Sequence, residues 1–272
     1  MYSRRISTGA GAILVLGVLC VVARADLNQG LIAHWKFDEG SGIHAGDSAG
    51  GHTGTIYGGA AWVAGVSGPA LDFNGSTAYV QVPDAEAFSF GNGTHDAAFT
   101  LAAWVKHRGD SAVPDDIVSK YAWPGFENEY MFRVNPGNTL SVFLFDATND
   151  YRLGIMTDTE LDSNWRFVTA TYDGSGTIAG LKLFIDGAQQ ATTIVFNNPS
   201  YVAMHNTTAP VEIACGRRAG DQWDEYLTGA IDEVRMYDRA LSADEVHELY
   251  VPEPSALALL AVPALGAMRR RR

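Results

Sequence analysis

Two stretches of the sequence combine aromatic rings with planar polar side chains, the two features that sugar recognition uses. They are residues 121–128 and residues 217–224. Aromatic rings stack on the apolar face of a sugar, and planar polar groups bond its hydroxyls. The tryptophans of both stretches fall outside clear apolar alternation, which favours exposure. The candidate glycan-binding residues are Trp123, Trp223, Tyr121, Arg217 and Asp221. The alternative, weighted equally, is that each aromatic side chain packs beneath its own loop.

A β framework must hold these loops, because the chain is a succession of short alternating or β-rich runs separated by Gly, Asn, Asp and Pro. Asn74-Gly75 predicts a hairpin, and Asp186-Gly187 predicts a second tight turn. Ser242 and Glu245 form a capping-box pattern that predicts one short helix ending near Tyr250. The predicted strands are residues 31–37, 70–73, 78–82, 99–106, 129–134, 140–145, 151–156, 166–172, 181–185, 188–193, 211–214 and 227–237. Those from 129 to 156 predict a meander.

Charge and cysteine content restrict the possible partners of the central segment. Residues 26–251 carry 12 Lys and Arg against 30 Asp and Glu, a net charge of −18. This charge argues against binding to nucleic acid or anionic lipid. Cys215 is the one cysteine outside the first 25 residues, so no disulfide is expected within the central segment. Its apolar surroundings predict a buried thiol.

The N-terminus has the pattern of a secretion signal. Arg4 and Arg5 precede an apolar run over residues 10–22, and Ala23-Arg24-Ala25 offers small residues at both positions that signal peptidase requires. We predict cleavage after Ala25. The run is shorter than the roughly 20 residues of a membrane span, although a retained anchor is the alternative.

The C-terminus carries a Pro-Glu-Pro turn at residues 252–254, an apolar segment over 255–268 and four terminal arginines. This order resembles the PEP-CTERM sorting signal, which implies a transient membrane segment removed by an exosortase. The arginines favour the cytoplasmic side of the membrane. A small tail anchor is the alternative. We therefore expect a signal peptide at 1–25, a folded domain at 26–250 and a sorting tail at 251–272. The folded domain is expected at the cell surface or in the extracellular matrix of a Gram-negative-type bacterium.

Six segments, taken in order, resemble the laminin-G-like domain of the concanavalin A-like lectin/glucanase group. The resemblance spans residues 31–250 and implies an all-β jelly-roll sandwich of two antiparallel sheets, with one short C-terminal helix. The segments are GLIAHWKFDEGSG (30–42), the Gly-rich loop 47–54, GPALDFNG (68–75), FTLAAWVK (99–106), WRFVTATYDG (165–174) leading to LFIDG (183–187), and GAIDEVRMYDRALS (229–242).

Domains that this chain resembles often hold one structural Ca²⁺. The resemblance implies Asp38, Asp47 and Asp232 as candidate ligands, because the first and last strands of such a sandwich usually lie side by side. The alternative is that these aspartates make local hydrogen bonds at turns and strand ends.

The resemblance does not carry a catalytic site with it. The laminarinase pattern Glu-x-Asp-x-x-Glu has its nearest match at Glu160-Leu161-Asp162, where Trp165 stands in place of the third carboxylate. We therefore predict an exported, non-catalytic surface or matrix protein that binds a polysaccharide or glycoconjugate, or is otherwise adhesive. The alternatives are a glycan-active hydrolase or lyase and a purely structural protein-binding module.

Overall fold

The structure is a computed structural model that describes residues 26–109, 112–123, 127–148, 151–218 and 225–251. The predicted signal peptide and sorting tail lie outside these residues. Within them, no helix is both long enough and apolar enough to cross a membrane.

Eighteen strands and one α-helix, α1 (Ala243–Tyr250), make up the described chain. The strands are β1 (Leu31–Trp35), β2 (His44–Ala45), β3 (Gly54–Tyr57), β4 (Ala61–Ala64), β5 (Pro69–Asn74), β6 (Tyr79–Val82), β7 (Phe99–His107), β8 (Asp115–Trp123), β9 (Glu127–Val134), β10 (Thr139–Asp146), β11 (Tyr151–Glu160), β12 (Arg166–Tyr172), β13 (Leu181–Ile185), β14 (Ala188–Gln189), β15 (Thr192–Asn197), β16 (Val211–Ile213), β17 (Arg217–Arg218) and β18 (Thr228–Tyr237).

The strands form two sheets. The eight-stranded sheet has the order β14-β13-β12-β7-β18-β5-β4, with β1 also paired to β18. The ten-stranded sheet has the order β15-β11-β10-β9-β8-β16-β6-β3-β2, with β17 also paired to β8. Every pairing is antiparallel except the short parallel contact of β17 with β8. The prediction of an all-β, two-sheet jelly roll with one short C-terminal helix is confirmed.

Alternation along the strands builds the core between the sheets. In β10, Leu140, Val142 and Leu144 join the main core, while Phe143 and Phe145 belong to a separate cluster. Trp35 and Phe73 from the eight-stranded sheet are fully buried in the same main core. Side chains in a strand point alternately to its two faces, so a period of two in the sequence becomes one inner and one outer row.

Three local predictions are confirmed. The first strand pairs with the last, with Trp35 opposite Val234. Strands β9, β10 and β11 form an antiparallel meander. Asp186 and Gly187 both adopt positive φ, 51° and 75°, and connect the β13–β14 hairpin.

The hairpin predicted at Asn74-Gly75 is wrong. Strand β5 lies in the eight-stranded sheet and β6 in the ten-stranded sheet, so this turn carries the chain between sheets. The Asn74 side chain accepts backbone N–H bonds from residues 76, 77 and 78 at 2.9–3.1 Å. Gly75 has φ +70°, and a Cβ there would lie 2.1 Å from Thr228 Oγ1. A tight-turn dipeptide fixes the local bend, but not which sheet receives the next strand.

Strand β8 was missed by the sequence prediction, which treated residues 121–128 as a loop. Its buried positions include Asp115, Asp116 and Lys120, so the strand shows no apolar alternation. The Lys120 ammonium is fully buried and lies 2.7 Å from Glu129 Oε1 on β9. Because a charged residue occupies this inward-facing position, a search for alternating hydrophobic residues does not detect the strand.

Candidate ligand-binding groove

A groove of about 980 Å³ lies on the outer face of the eight-stranded sheet. It runs between the C-terminal turn of α1 and the loop at residues 65–67. This size is within the range of small-molecule and oligosaccharide sites. Its lining residues come from the N-terminal segment, from β1, β7 and β18, from three loops, and from α1 and the residue after it. They are Leu27, Asn28, Leu31, His34, Lys36, Ser48, Val66, Ser67, Trp104, Glu233, Arg235, Tyr237, Glu248, Leu249, Tyr250 and Val251.

A bulge in β18 determines which side chains point into the floor of the groove. Ile231 and Val234 both belong to the core, although they are three residues apart. Strict alternation would place one residue between two successive core residues of a strand, whereas two residues separate Ile231 from Val234. The pairing with β7 accordingly shifts register between Asp232 and Arg235, and Glu233 adopts φ +54°. A non-glycine residue in the left-handed region is strained, and such strain is often found at functional sites.

Glu233 is the centre of a buried polar network on this floor. Its Oε2 lies 2.7 Å from His34 Nε2 and also accepts a hydrogen bond from Arg235. Burial alone would raise the pKa of Glu233, but the bond to His34 and the charge of Arg235 outweigh it and lower the pKa. Burial lowers the pKa of His34, and its bond to Glu233 does not compensate. A neutral imidazole therefore donates from Nε2 to a carboxylate, which leaves Nδ1 as an acceptor.

Aromatic rings form the wall on the side of α1. The Trp104 ring centroid lies 5.7 Å from that of Tyr250 and 5.4 Å from that of Phe167. The helix packs on the sheet through Val246, with Leu249 and Tyr250 half-buried beside it. The predicted capping box is present, since Ser242 and Glu245 bond each other's backbone N–H. The cap fixes where α1 begins, and hence where Tyr250 meets Trp104.

The opposite wall is the loop at residues 65–67, held by Asp232. Asp232 Oδ2 accepts backbone N–H bonds from Val66 at 2.8 Å and Ser67 at 3.0 Å. A Cβ on Gly65 would lie 2.4 Å from the same oxygen, so glycine is needed for this approach. Burial raises the pKa of Asp232 to about 6, although the two N–H bonds act in the opposite direction.

The three predicted calcium ligands have different surroundings in the structure. Asp47 accepts four backbone N–H bonds, from His34, Ala49, Gly50 and His52, at 2.8–3.0 Å. Asp232 holds the loop at 65–67, and Asp38 is exposed beside Gly68. Both Asp47 oxygens and Asp232 Oδ2 are thus engaged by backbone N–H groups.

Across the described ranges, no three His, Cys, Asp or Glu side chains are grouped to hold a metal. Asp47 and Asp232 make the local hydrogen bonds of the alternative interpretation, and the proposed ligand set stays a prediction. Calcium binding by the chain stays a prediction, for which a melting temperature lowered by a chelator would be the test.

Of the predicted glycan-binding residues, Tyr121, Trp123 and Arg217 lie in strands β8 and β17 of the ten-stranded sheet. Strand β17 brings the two candidate stretches together, with Arg217 paired to Ala122 and Arg218 to Trp123. Tyr121 is 5% exposed, and its ring packs 5.2 Å from that of Phe145. Tyr121 therefore supports this region from beneath. Asp221 and Trp223, like the side chains of Trp123 and Arg217, lie outside the described part of the structure.

Comparison with known protein families identifies the family to which the chain belongs. A laminin G family model, described as the concanavalin A-like lectin/glucanases superfamily, matches residues 74–247, well over half of the chain. The chain belongs to this superfamily. No curated protein sequence matches it.

Solved structures share the superfamily's sandwich with this chain. The binding domain of Paraclostridial Mosquitocidal Protein 1 is 17% identical, with a TM-score of 0.63 over 83% of this chain and 52% of that one. Domain 4 of the Geobacillus stearothermophilus arabinanase AbnA, in complex with arabinotriose, is 21% identical, with a TM-score of 0.59 over 81% and 98%.

A third similar structure comes from work on the interaction of botulinum neurotoxin type C with two ganglioside molecules. It is 14% identical, with a TM-score of 0.59 over 83% of this chain and 52% of that one. The chain thus spans about half the length of the two toxin chains. At these identities the likeness shows the fold.

The groove of this superfamily member was missed from the sequence. Trp104 and Tyr237 both lie in strand patterns, where a large aromatic side chain usually belongs to the core, and Tyr237 is indeed 1% exposed. Trp104 is only partly buried, since it faces outward toward α1. The available signal was the extra residue between Ile231 and Val234, which predicts a bulge and an outward carboxylate.

Proposed function

We propose that the chain is a non-catalytic carbohydrate-binding module and that the groove is its binding site. The proposal rests on two features that line the same groove. One is the aromatic pair Trp104 and Tyr250, and the other is the polar network of His34, Glu233 and Arg235. A sugar ring has apolar faces and carries hydroxyl groups around its edge, so the positions of the two are fixed relative to each other. A site with rings on one side and preset donors and acceptors on its floor suits that pattern.

The charge of the groove favours a neutral glycan. Its lining includes two positive side chains, Lys36 and Arg235, and two negative ones, Glu233 and Glu248, with His34 neutral. These charges balance, whereas residues 26–251 as a whole carry −18. An anionic polysaccharide would meet repulsion from the molecule and no net attraction in the groove.

The chemistry of Glu233 supports binding over hydrolysis. A glycosidase needs one carboxyl group held protonated as the general acid, opposite a second carboxylate. The lowered pKa of Glu233 keeps it ionised, and its bonds to His34 and Arg235 hold it in place. Asp162, from the nearest match to a catalytic pattern, is exposed and bound by Arg166, which lowers its pKa. The similar structures agree with binding, since one is a binding domain, one is in complex with arabinotriose, and one comes from work on a neurotoxin that interacts with two ganglioside molecules.

We also propose that the protein is exported and acts at the cell surface or in the extracellular matrix. The support is the signal-peptide pattern ending at Ala25 and the Pro-Glu-Pro tail beginning at Pro252. Mass spectrometry of the protein recovered from its native source should give an N-terminus at Asp26. An intact N-terminus on cytoplasmic protein would contradict export.

Affinity electrophoresis of the purified chain in gels containing single polysaccharides tests carbohydrate binding. A neutral-glycan panel, arabinan included, should contain at least one polymer that retards the protein. Anionic polymers such as alginate should not retard it. Unchanged mobility in every neutral gel, or retardation by the anionic gels alone, would overturn the proposal.

A further inference from the structure

The free edge of the ten-stranded sheet is long and apolar. Strand β15 pairs with β11 on one side, and no other described strand pairs with it. All six of its residues are exposed, and Ile194, Val195 and Phe196 have exposures of 55%, 38% and 40%. An exposed apolar edge strand offers unpaired N–H and C=O groups and is a template for pairing with another strand.

The other described sheet edges are shorter. Strands β2 and β14 have two residues each, and β4 has four. Short edge strands are one way in which proteins prevent edge-to-edge association. Strand β15 also lacks the lysines and prolines that commonly protect an edge.

Charge indicates which partner fits this edge. Residues 187–211 contain no Asp, Glu, Lys or Arg, although residues 26–251 carry 42 such residues and a net charge of −18. Two copies repel one another over most of their surfaces. Strand β15 itself adds no charge to this edge, and the two charged side chains of β11 that contact it, Arg152 and Asp158, have opposite signs. An uncharged strand is compatible with itself in antiparallel pairing.

We propose that β15 pairs antiparallel with β15 of a second copy and joins two ten-stranded sheets into one. A two-fold axis places the same strand opposite itself, which gives an antiparallel, self-complementary interface. Backbone hydrogen bonds hold the pair, and Ile194 and Phe196 add apolar contact. The interface does not involve the groove, which lies on the other sheet. A dimer carries two grooves and gains avidity for a polymer with repeated sites.

Sedimentation velocity over a range of concentrations tests the dimer. The weight-average mass of the wild-type chain should rise toward twice the monomer mass, and added salt should favour this rise by screening the acidic charge. Ile194→Lys should stay monomeric at every concentration. Val63→Lys, on the β4 edge of the other sheet, is the matched control and should associate like the wild type.

Amide hydrogen exchange supplies a readout that needs no variant. The β15 amides should exchange more slowly at high than at low protein concentration, whereas the β4 amides should not change. Any of three results would overturn the proposal. The wild-type chain could stay monomeric at every concentration, or Val63→Lys could abolish association while Ile194→Lys does not. The third such result is β15 amide exchange that does not depend on protein concentration. Each outcome is separate from glycan binding, because the groove residues remain unaltered.

Discussion

Glu233 and Asp232 are neighbours in the chain, yet their surroundings shift their pKa values in opposite directions. Glu233 is bound by His34 and Arg235, so its pKa is lowered. Asp232 is fully buried, and among the described residues it has no ion pair and its Oδ1 has no hydrogen bond. Burial therefore raises its pKa to about 6. One bulge thus presents a fixed negative charge to the groove and keeps behind it a carboxyl group that holds the loop at 65–67.

Asp232 makes the stability of the fold depend on pH. A carboxyl group with a raised folded-state pKa binds a proton on folding, so its contribution is fully present below about pH 4 and is lost as pH rises through about 6. Asp232→Asn removes this dependence, while its side-chain oxygen can still accept the two N–H bonds. Relative to wild type, the variant should gain about 2 kcal/mol in unfolding free energy between pH 4 and pH 7.5.

Urea unfolding at the two pH values measures this difference. Asp38→Asn, which alters an exposed aspartate, is the control and should follow the wild type. An Asp232→Asn curve parallel to the wild type would mean that Asp232 titrates in the folded protein as it does in the unfolded chain.

The neutral state of His34 and its contact with Glu233 lay beyond sequence reasoning. Both depend on burial and on a contact between residues 199 positions apart. The sequence did place His34 and Glu233 in strands that pair with each other, because the first and last strands of such sandwiches are neighbours. It could not show which of their side chains would meet.

Helix α1 is the element that turns a sheet face into a groove. It begins at a capping box, where Ser242 Oγ accepts from Glu245 N and Glu245 Oε2 accepts from Ser242 N at 2.8 Å. Only Val246 is fully buried on it, so the eight-residue helix depends strongly on its cap.

Ser242→Ala should lower the unfolding free energy by about 1 kcal/mol, because it leaves a helix N–H without its acceptor. Equilibrium urea unfolding measures the loss. Ser200→Ala, in an exposed loop, should leave stability unchanged. Equal stability of Ser242→Ala and wild type would mean that packing alone holds α1 in place.

Strands with inner apolar rows were the elements that sequence could predict. Strands β10 and β12 match their predicted ranges closely, since their alternation is unbroken. Strand β8 was hidden by the buried Lys120–Glu129 pair, and β17 by its length of two residues. The turn at Asn74-Gly75 was recognised, but the change of sheet after it is a tertiary outcome. Local patterns thus predicted the layers better than the connections between them.

At the level of the molecule, the two sheets have different outer faces. The eight-stranded sheet carries the groove, in which charged side chains balance within an acidic protein. The ten-stranded sheet brings β8 and β17 together and ends in the neutral edge strand β15. This division allows ligand binding on one face and self-association at the edge of the other sheet.

Isothermal titration with a neutral oligosaccharide taken from a retarding polymer tests the central claim that the groove is the glycan site. Trp104→Ala should raise Kd about tenfold, or roughly 1.4 kcal/mol, because it removes the main stacking surface. Trp62→Ala, a similarly half-buried ring away from the groove, should leave Kd unchanged once melting shows that both variants fold. The account would be contradicted if Trp104→Ala kept wild-type affinity while Trp123→Ala or Trp223→Ala lost binding. The site would then belong to the stretches at residues 121–128 and 217–224.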